Sequence, residues 1–300
     1  MENRIKKVLL TIAALFFVFA VLLPIVITSF NPNKFGNIAL IPIEGPITTT
    51  GGSYMGERTV SSEDIVNFIK EAEESSQIEV IMFEINSPGG SAVASDEISS
   101  AIKKTTKPTL SVIREVGASG GYWVASSTNH IIANRMSITG GIGVISSYLE
   151  FSGLMEKYGV GYEQLIAGKY KDMGTPLRKL SGEEKKIMQG KLDKIHYYFI
   201  QEIAENRKMD IKDVTKLATG EFYLGVEALD NGLIDQLGDK DTAQEYIKET
   251  YGIEEVDFVI YERELSFFEA FGVAMEEFSF KMGEGMGKIF TESDNSIMLK

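Results

Sequence analysis

Ser119 stands between small residues in the sequence Gly-Ala-Ser-Gly-Gly, positions 117–121. A serine without bulky neighbours lets a peptide carbonyl approach its hydroxyl closely. The amide that follows it can then point at the negative charge that develops on the carbonyl oxygen. The residues before it, 109–115, read as a strand and those after it as a helix, whose amino-terminal dipole favours that charge. A second glycine turn, Asn-Ser-Pro-Gly-Gly at 86–90, closes another apolar run. Pro88 stiffens it, Gly89 and Gly90 leave their amides bare, and Gly89 is the candidate second oxyanion donor beside Gly120.

A serine needs a base. The pattern G-x-S-x-G also opens the nucleophile turn of α/β-hydrolases, which use a later histidine. The two histidines are His130, at the start of an apolar run, and His196, inside a helical pattern beside Ile195 and Tyr197. Neither falls in a loop after a strand, so both read as structural. Lysine is the other base, provided burial or a cationic neighbourhood keeps it neutral. The loop 168–179 offers Lys169, Lys171 and Lys179, and spacing does not choose among them. Ser100-x-x-Lys103 and Ser293-Asp294-Asn295 imitate penicillin-binding motifs, but no K-T-G follows and the second lies in a polar tail.

The elements that would carry these residues alternate. Strands are expected at 37–45, 79–85, 109–115 and 130–134, with helices between them: one capped by Ser62 with Ile65, Phe68, Ile69 and Ala72 on its inner face, one near 94–104, and one after Ser119. Such alternation predicts an α/β domain with mostly parallel strands, whose ligands lie at the carboxyl ends of the strands. Residues 48–59 read as a polar loop, and 161–167 as strand-like. A long amphipathic helix is expected over 181–207, with Met188, Leu192, Ile195, Phe199 and Ile203 as its buried stripe. Shorter helices follow near 211–217, 226–231 and 241–251, then a strand at 256–262. From 265 on, Phe267, Phe268, Phe271, Met275 and Phe278 recur at helical spacing among acids.

Composition narrows the function. The net charge of −13 argues against nucleic acid, which requires a basic face. With no cysteine, disulfides, thiolate metal sites and thiol nucleophiles are excluded, and two histidines make a multi-histidine metal site unattractive. No Walker loop, no G-x-G-x-x-G after a strand and no H-E-x-x-H is present, so no cofactor is implied. Arg4, Lys6 and Lys7 precede an uncharged stretch at 8–30, long enough to span a bilayer as a helix and lacking a small-residue cleavage site at its end. The basic flank places the amino terminus in the cytoplasm and the remainder outside the cytoplasmic membrane. Three regions result: an anchor at 1–30, a catalytic domain at 31–263 and an amphipathic tail at 264–300.

From about residue 38 to 239, the order of NSPGG, ASGGYW, ITGGIGVI, GKYKDMGTP and GEFYLGVEALDNGLIDQLG resembles the signal peptide peptidase A family of membrane-anchored serine–lysine proteases. The resemblance implies a ClpP/crotonase-like fold with an N-terminal transmembrane helix. It implies Ser119 as nucleophile, Lys171 as general base, Gly89 and Gly120 as oxyanion amides, and a ring-shaped homo-oligomer that completes each dyad across subunits. The expected substrates are signal-peptide remnants and other membrane-associated peptides. Rival readings are a protease trimming one membrane partner such as a stomatin-like protein, and a non-catalytic binding scaffold on the same fold; an acyl-CoA enzyme is disfavoured because CoA is cytosolic. One position departs from the family: where it often has Thr-Gly-Ser, this chain has Thr139-Gly140-Gly141, without the serine that helps to hold the lysine. Thr139 or a water is the expected substitute, and Gly141→Ser the expected tolerated change if the backbone there does not require a positive φ.

Overall fold

The computed structural model describes residues 36–54, 57–263 and 279–282. The chain divides into a unit ending at Tyr261 and a second from Glu262 to Lys300, of which residues 279–282 are helical. The apolar run 8–30 and nearly all of the tail 264–300 lie outside the described residues. No helix of the described residues is long and apolar enough to cross a membrane.

The first unit is built on one sheet. Strands β1 (Ile38–Glu44), β5 (Val80–Ser87), β6 (Thr109–Ala118), β7 (His130–Ala133), β10 (Gln236–Leu237) and β11 (Phe258–Ile260) lie in the order β10-β7-β6-β5-β1-β11, all parallel. Strand β8 (Ile138–Gly140) adds parallel to β6, and β9 (Phe222–Leu224) antiparallel to β8. Segment 48–59, expected as a loop, contributes to a small second sheet of β2 (Ile47–Thr48), β3 (Gly52–Tyr54) and β4 (Glu57–Ser61).

Alternation along the strands sends one set of side chains to each face. Ile41, Ile43, Phe83, Ile85 and Ile113 face helices α1 (Ser62–Glu74), α2 (Ala92–Ile102), α3 (Gly120–Ser126) and the end of α5 (Gly182–Asn206). Ile38, Leu40, Met82 and Val112 face α8 (Lys240–Tyr251) through Ala243 and Ile247. The remaining helices are α4 (Ser152–Lys157), α6 (Ile211–Leu217) and α7 (Gly225–Asp230).

Three further expectations need correction. The cap of α1 is Ser61, whose hydroxyl accepts the Asp64 N–H at 3.2 Å, and not Ser62. Residues 161–167 form no strand; they run without regular structure and mostly exposed. The stripe of α5 is buried only in its second half, at Phe199, Ile200 and Ile203; Met188, Leu192 and Ile195 are partly exposed.

Candidate active site

Strand β6 positions Ser119. Its first half pairs with β7, from Leu110 with His130 to Ile113 with Ala133, and its last residues pair with β8, from Val116 with Ile138 to Ala118 with Gly140. A register shift against β5 between Ile85 and Ser87 lets the Asn86 side chain accept the Val116 N–H at 3.2 Å. The strand therefore ends between the 86–90 turn and the Thr139-Gly140-Gly141 segment, with Ser119 at its tip.

Ser119 adopts φ 52° and ψ −124°, a conformation that non-glycine residues avoid, at a cost on the order of 1–3 kcal/mol. Two backbone bonds impose it: the Ser119 N–H donates to the Gly140 carbonyl at 2.8 Å, and the Ser119 carbonyl accepts the Trp123 N–H at 2.9 Å. Behind them α3 is wholly buried, with Trp123 stacked on Phe199 at 4.7 Å between ring centroids and the Tyr122 hydroxyl donating to the Leu233 carbonyl at 2.7 Å. Burial pushes the Tyr122 hydroxyl's pKa far up, so it stays neutral in that role.

The 86–90 turn packs directly on the serine. A Cβ on Gly89, which has φ 95°, would stand 2.5 Å from the Gly120 nitrogen and 2.9 Å from Ser119 Cβ, so only glycine fits there. The Gly89 N–H donates to Ser87 Oγ at 3.1 Å, and that hydroxyl donates to the Gly45 carbonyl at 2.6 Å. Gly90 faces the other way: the Ile47 N–H donates to the Gly89 carbonyl at 2.9 Å and the Ser91 N–H to the Ile47 carbonyl at 2.8 Å, which leaves the Gly90 N–H pointing away from β2. The Gly90 nitrogen lies 3.2 Å from the point where a Cβ on Gly120 would stand. The expected turn donor was Gly89, whose N–H is taken by Ser87; the turn amide without a partner among the described residues is that of Gly90.

Thr139 is buried, and its hydroxyl donates to the Gly117 carbonyl at 2.8 Å. Gly141 has φ 60°, and a Cβ there would meet the Ser119 nitrogen at 3.3 Å. The condition for a tolerated serine at 141 is therefore not met, since the left-handed region strains any L-residue with a side chain.

His130 is not brought to Ser119, whereas His196 sits against the segment that follows Gly141. His130 pairs with Leu110, and nine residue steps along the strand separate Leu110 from Ser119, about 30 Å at 3.3 Å per step. Its ring stacks on Tyr246 at 3.9 Å, and Nε2 meets Gln236 Oε1 at 3.2 Å. His196 Nε2 meets the Ile142 carbonyl at 3.2 Å; a carbonyl only accepts, so that nitrogen carries a proton and is no base.

Lys171 lies on a chain of turns rather than in the core. Its N–H donates to the Gly168 carbonyl at 3.1 Å, and Met173 and Thr175 repeat the pattern onto Tyr170 and Asp172. The side chain is exposed and has no partner among the described residues. Lys169, by contrast, pairs with Glu183 at 2.6 Å, a carboxylate that stabilises its charged form and raises its pKa. Arg178 bridges Asp172 at 2.7 Å and Glu184 at 2.6 Å, and its guanidinium is the main reason both acids lie below the ordinary carboxylate range, Glu184 at about 2. This network was not anticipated from sequence, although the Ser181-x-x-Glu184 spacing that anchors it signals a capping box. A groove of about 800 Å³ between α1 and α2, lined by Val66, Ile69, Glu73, Asp96 and Ala101 among others, includes neither Ser119 nor Lys171.

The family model described as peptidase family S49 matches residues 101–254, which include Ser119 and Lys171. The chain is 32% identical to a candidate signal peptide peptidase SppA of Enterococcus faecium, over 87% of this chain and 75% of that one. It is 28% identical to a candidate protease of Methanocaldococcus jannaschii, over 75% of this chain and 72% of the relative. Protease 4 of Haemophilus influenzae is 30% identical over 69% of this chain but only 33% of its own length.

Proposed function

Because this chain belongs to peptidase family S49 and is a serine-type peptidase, we propose that it cleaves peptides with Ser119 as nucleophile and Lys171 as general base. Ser119 Oγ attacks the scissile carbonyl while the neutral Lys171 amine takes its proton. The lysine returns that proton to the departing amine, and water then hydrolyses the acyl-enzyme by the same route in reverse. The oxyanion is held by the Gly120 amide and by one from the 89–90 turn, where Gly90 has the unpaired N–H. The observation that carries this reading is the strained Ser119, fixed at the tip of β6 against that turn.

Lys171 reaches the serine from another copy of the chain, as in the ring-shaped homo-oligomer of the resembled family. Support comes from its exposed, unpartnered side chain and from the exposed Ile145, Leu149, Leu154, Val160 and Leu165 on the same long segment. Thr139 is wholly buried with its hydroxyl donating to Gly117, so of the two expected lysine partners an ordered water fits better. The substrates are signal-peptide remnants and other membrane-associated peptides. Residues 8–30 anchor the protein in the cytoplasmic membrane, with the catalytic unit outside; the uncharged run and its basic flank support this.

A fluorophosphonate probe tests the reading. Wild-type protein should label at Ser119. Ser119→Ala should lose labelling and hydrolysis, and Lys171→Ala should lose about 10²–10⁴-fold in hydrolysis, both with unchanged melting temperature. Mixing the two variants should restore activity if the dyad spans subunits. A folded Lys171→Ala enzyme with full activity would sink the dyad.

A further inference from the structure

The turn that carries Lys171 is tied down on both sides of it. Glu183 holds Lys169 Nζ at 2.6 Å and also accepts the Tyr170 hydroxyl. On the other side, Arg178 donates to Asp172 through Nε at 2.8 Å and Nη2 at 2.7 Å, and to Glu184 through Nη1 at 2.9 Å and Nη2 at 2.6 Å. Glu184 is itself fixed: its carboxylate accepts the Ser181 N–H at 2.8 Å, and its own N–H donates to Ser181 Oγ at 3.2 Å, the capping box that starts α5. Thus Lys169, Tyr170 and Asp172 are all fastened to the first turn of α5, and Lys171 alone is left to project.

We propose that Arg178 is a positioning residue for catalysis: its guanidinium, forked between Asp172 and Glu184 and assisted by Glu183 from the same helix turn, fixes the backbone from which Lys171 presents its amine. The inference rests on Lys171 being the base. An isolated exposed ion pair fixes little. A guanidinium bonded to two carboxylates is different, because planar paired bonds set direction as well as distance. The surrounding segment has no fully buried apolar side chain that could do this instead: residues 156–163 are all exposed, and Met173, Leu177 and Leu180 are only partly buried. A four-carbon side chain places its amine reproducibly only if its Cα is fixed, and a misplacement of about 1 Å can cost about 10²-fold in rate.

The test uses the full chain in detergent, with a fluorogenic peptide and a melting curve for each variant. Arg178→Gln should lower kcat by roughly 10- to 100-fold while KM stays within about twofold and the melting temperature holds, since ground-state binding does not involve the base. Arg178→Lys, which keeps the charge and loses the fork, should recover only a small part of the rate. Unchanged kcat in Arg178→Gln, or full rescue by Arg178→Lys, would overturn the proposal. If Arg178→Gln melts below the assay temperature, Asp172→Asn decides: a reduced kcat with intact folding supports positioning, and full activity refutes it. Lys171→Ala separates the two levels. Full activity there removes the base assignment itself, whereas an inactive Lys171→Ala beside a fully active Arg178→Gln removes only the role of Arg178.

Discussion

Ser119 and Lys171 sit in surroundings held by different forces. Ser119 is held by backbone: a strand in the middle of a parallel sheet, a buried helix behind it and glycine turns packed to van der Waals contact. The Lys171 turn is held by charge: Lys169, Asp172, Arg178, Glu183 and Glu184, on a segment whose apolar side chains mostly face solvent. The first kind of support resists salt and acid and fails on added volume. The second tolerates added volume and fails when charges are screened or protonated.

That contrast can be broken or sharpened in order of expected effect. Gly89→Ala should be the most damaging, because the new methyl collides with backbone at Gly120 rather than with a side chain that can move. A loss of about 1–3 kcal/mol is expected from overpacking, along with fluorophosphonate labelling. Normal labelling by a folded Gly89→Ala protein would mean that the turn is softer than its packing implies. Ser119→Gly should be inactive yet more stable than Ser119→Ala by about 1–2 kcal/mol in urea titrations, because glycine relieves the φ of 52°. Equal stabilities would show that the strain is not there. Gly141→Ser should cost about 1 kcal/mol, read the same way, at a φ of 60°.

The smallest effect belongs to the charged region. Glu184 has its pKa depressed to about 2 by Arg178 and the Ser181 amide, so its contribution is fully present above the ordinary carboxylate value and is lost as pH falls toward 2. Between about pH 4 and pH 2, protease cleavage within 156–175 should rise a few-fold before the β6 amides lose protection. Cleavage that rises only with global unfolding would erase the distinction between the two regions.

The sheet, the order of its helices and the motif turns were legible because each follows from periodicity or from glycine and proline placed after an apolar run. β8 and β9 were not: three residues each, they gain their identity from pairing with β6 and with each other, a contact between positions some eighty residues apart. The half-exposed start of α5 was missed for a related reason. Periodicity reports that Met188, Leu192 and Ile195 share a face, but not how much of that face finds a partner. Ser119 and the glycine turns stood out as residue types. The free N–H of Gly90 did not, because which of two adjacent glycine amides is taken depends on Ser87 Oγ and on the Ile47 bridge, neither of which carries a local signature.

The pairing of the 86–90 turn with β2 also has a consequence in time. Parallel bonds on either side of Gly90, from Ile47 to Gly89 and from Ser91 to Ile47, hold its peptide plane at a set tilt while leaving its hydrogen to the solvent. In deuterated water that hydrogen should exchange within the dead time of the experiment, although the Ile47 and Ser91 amides beside it persist. A tetrahedral adduct on Ser119 would then protect Gly90 together with Gly120, the other oxyanion donor, so two glycine amides become a clock for occupancy of the site, one that can be read in a variant too slow to turn over.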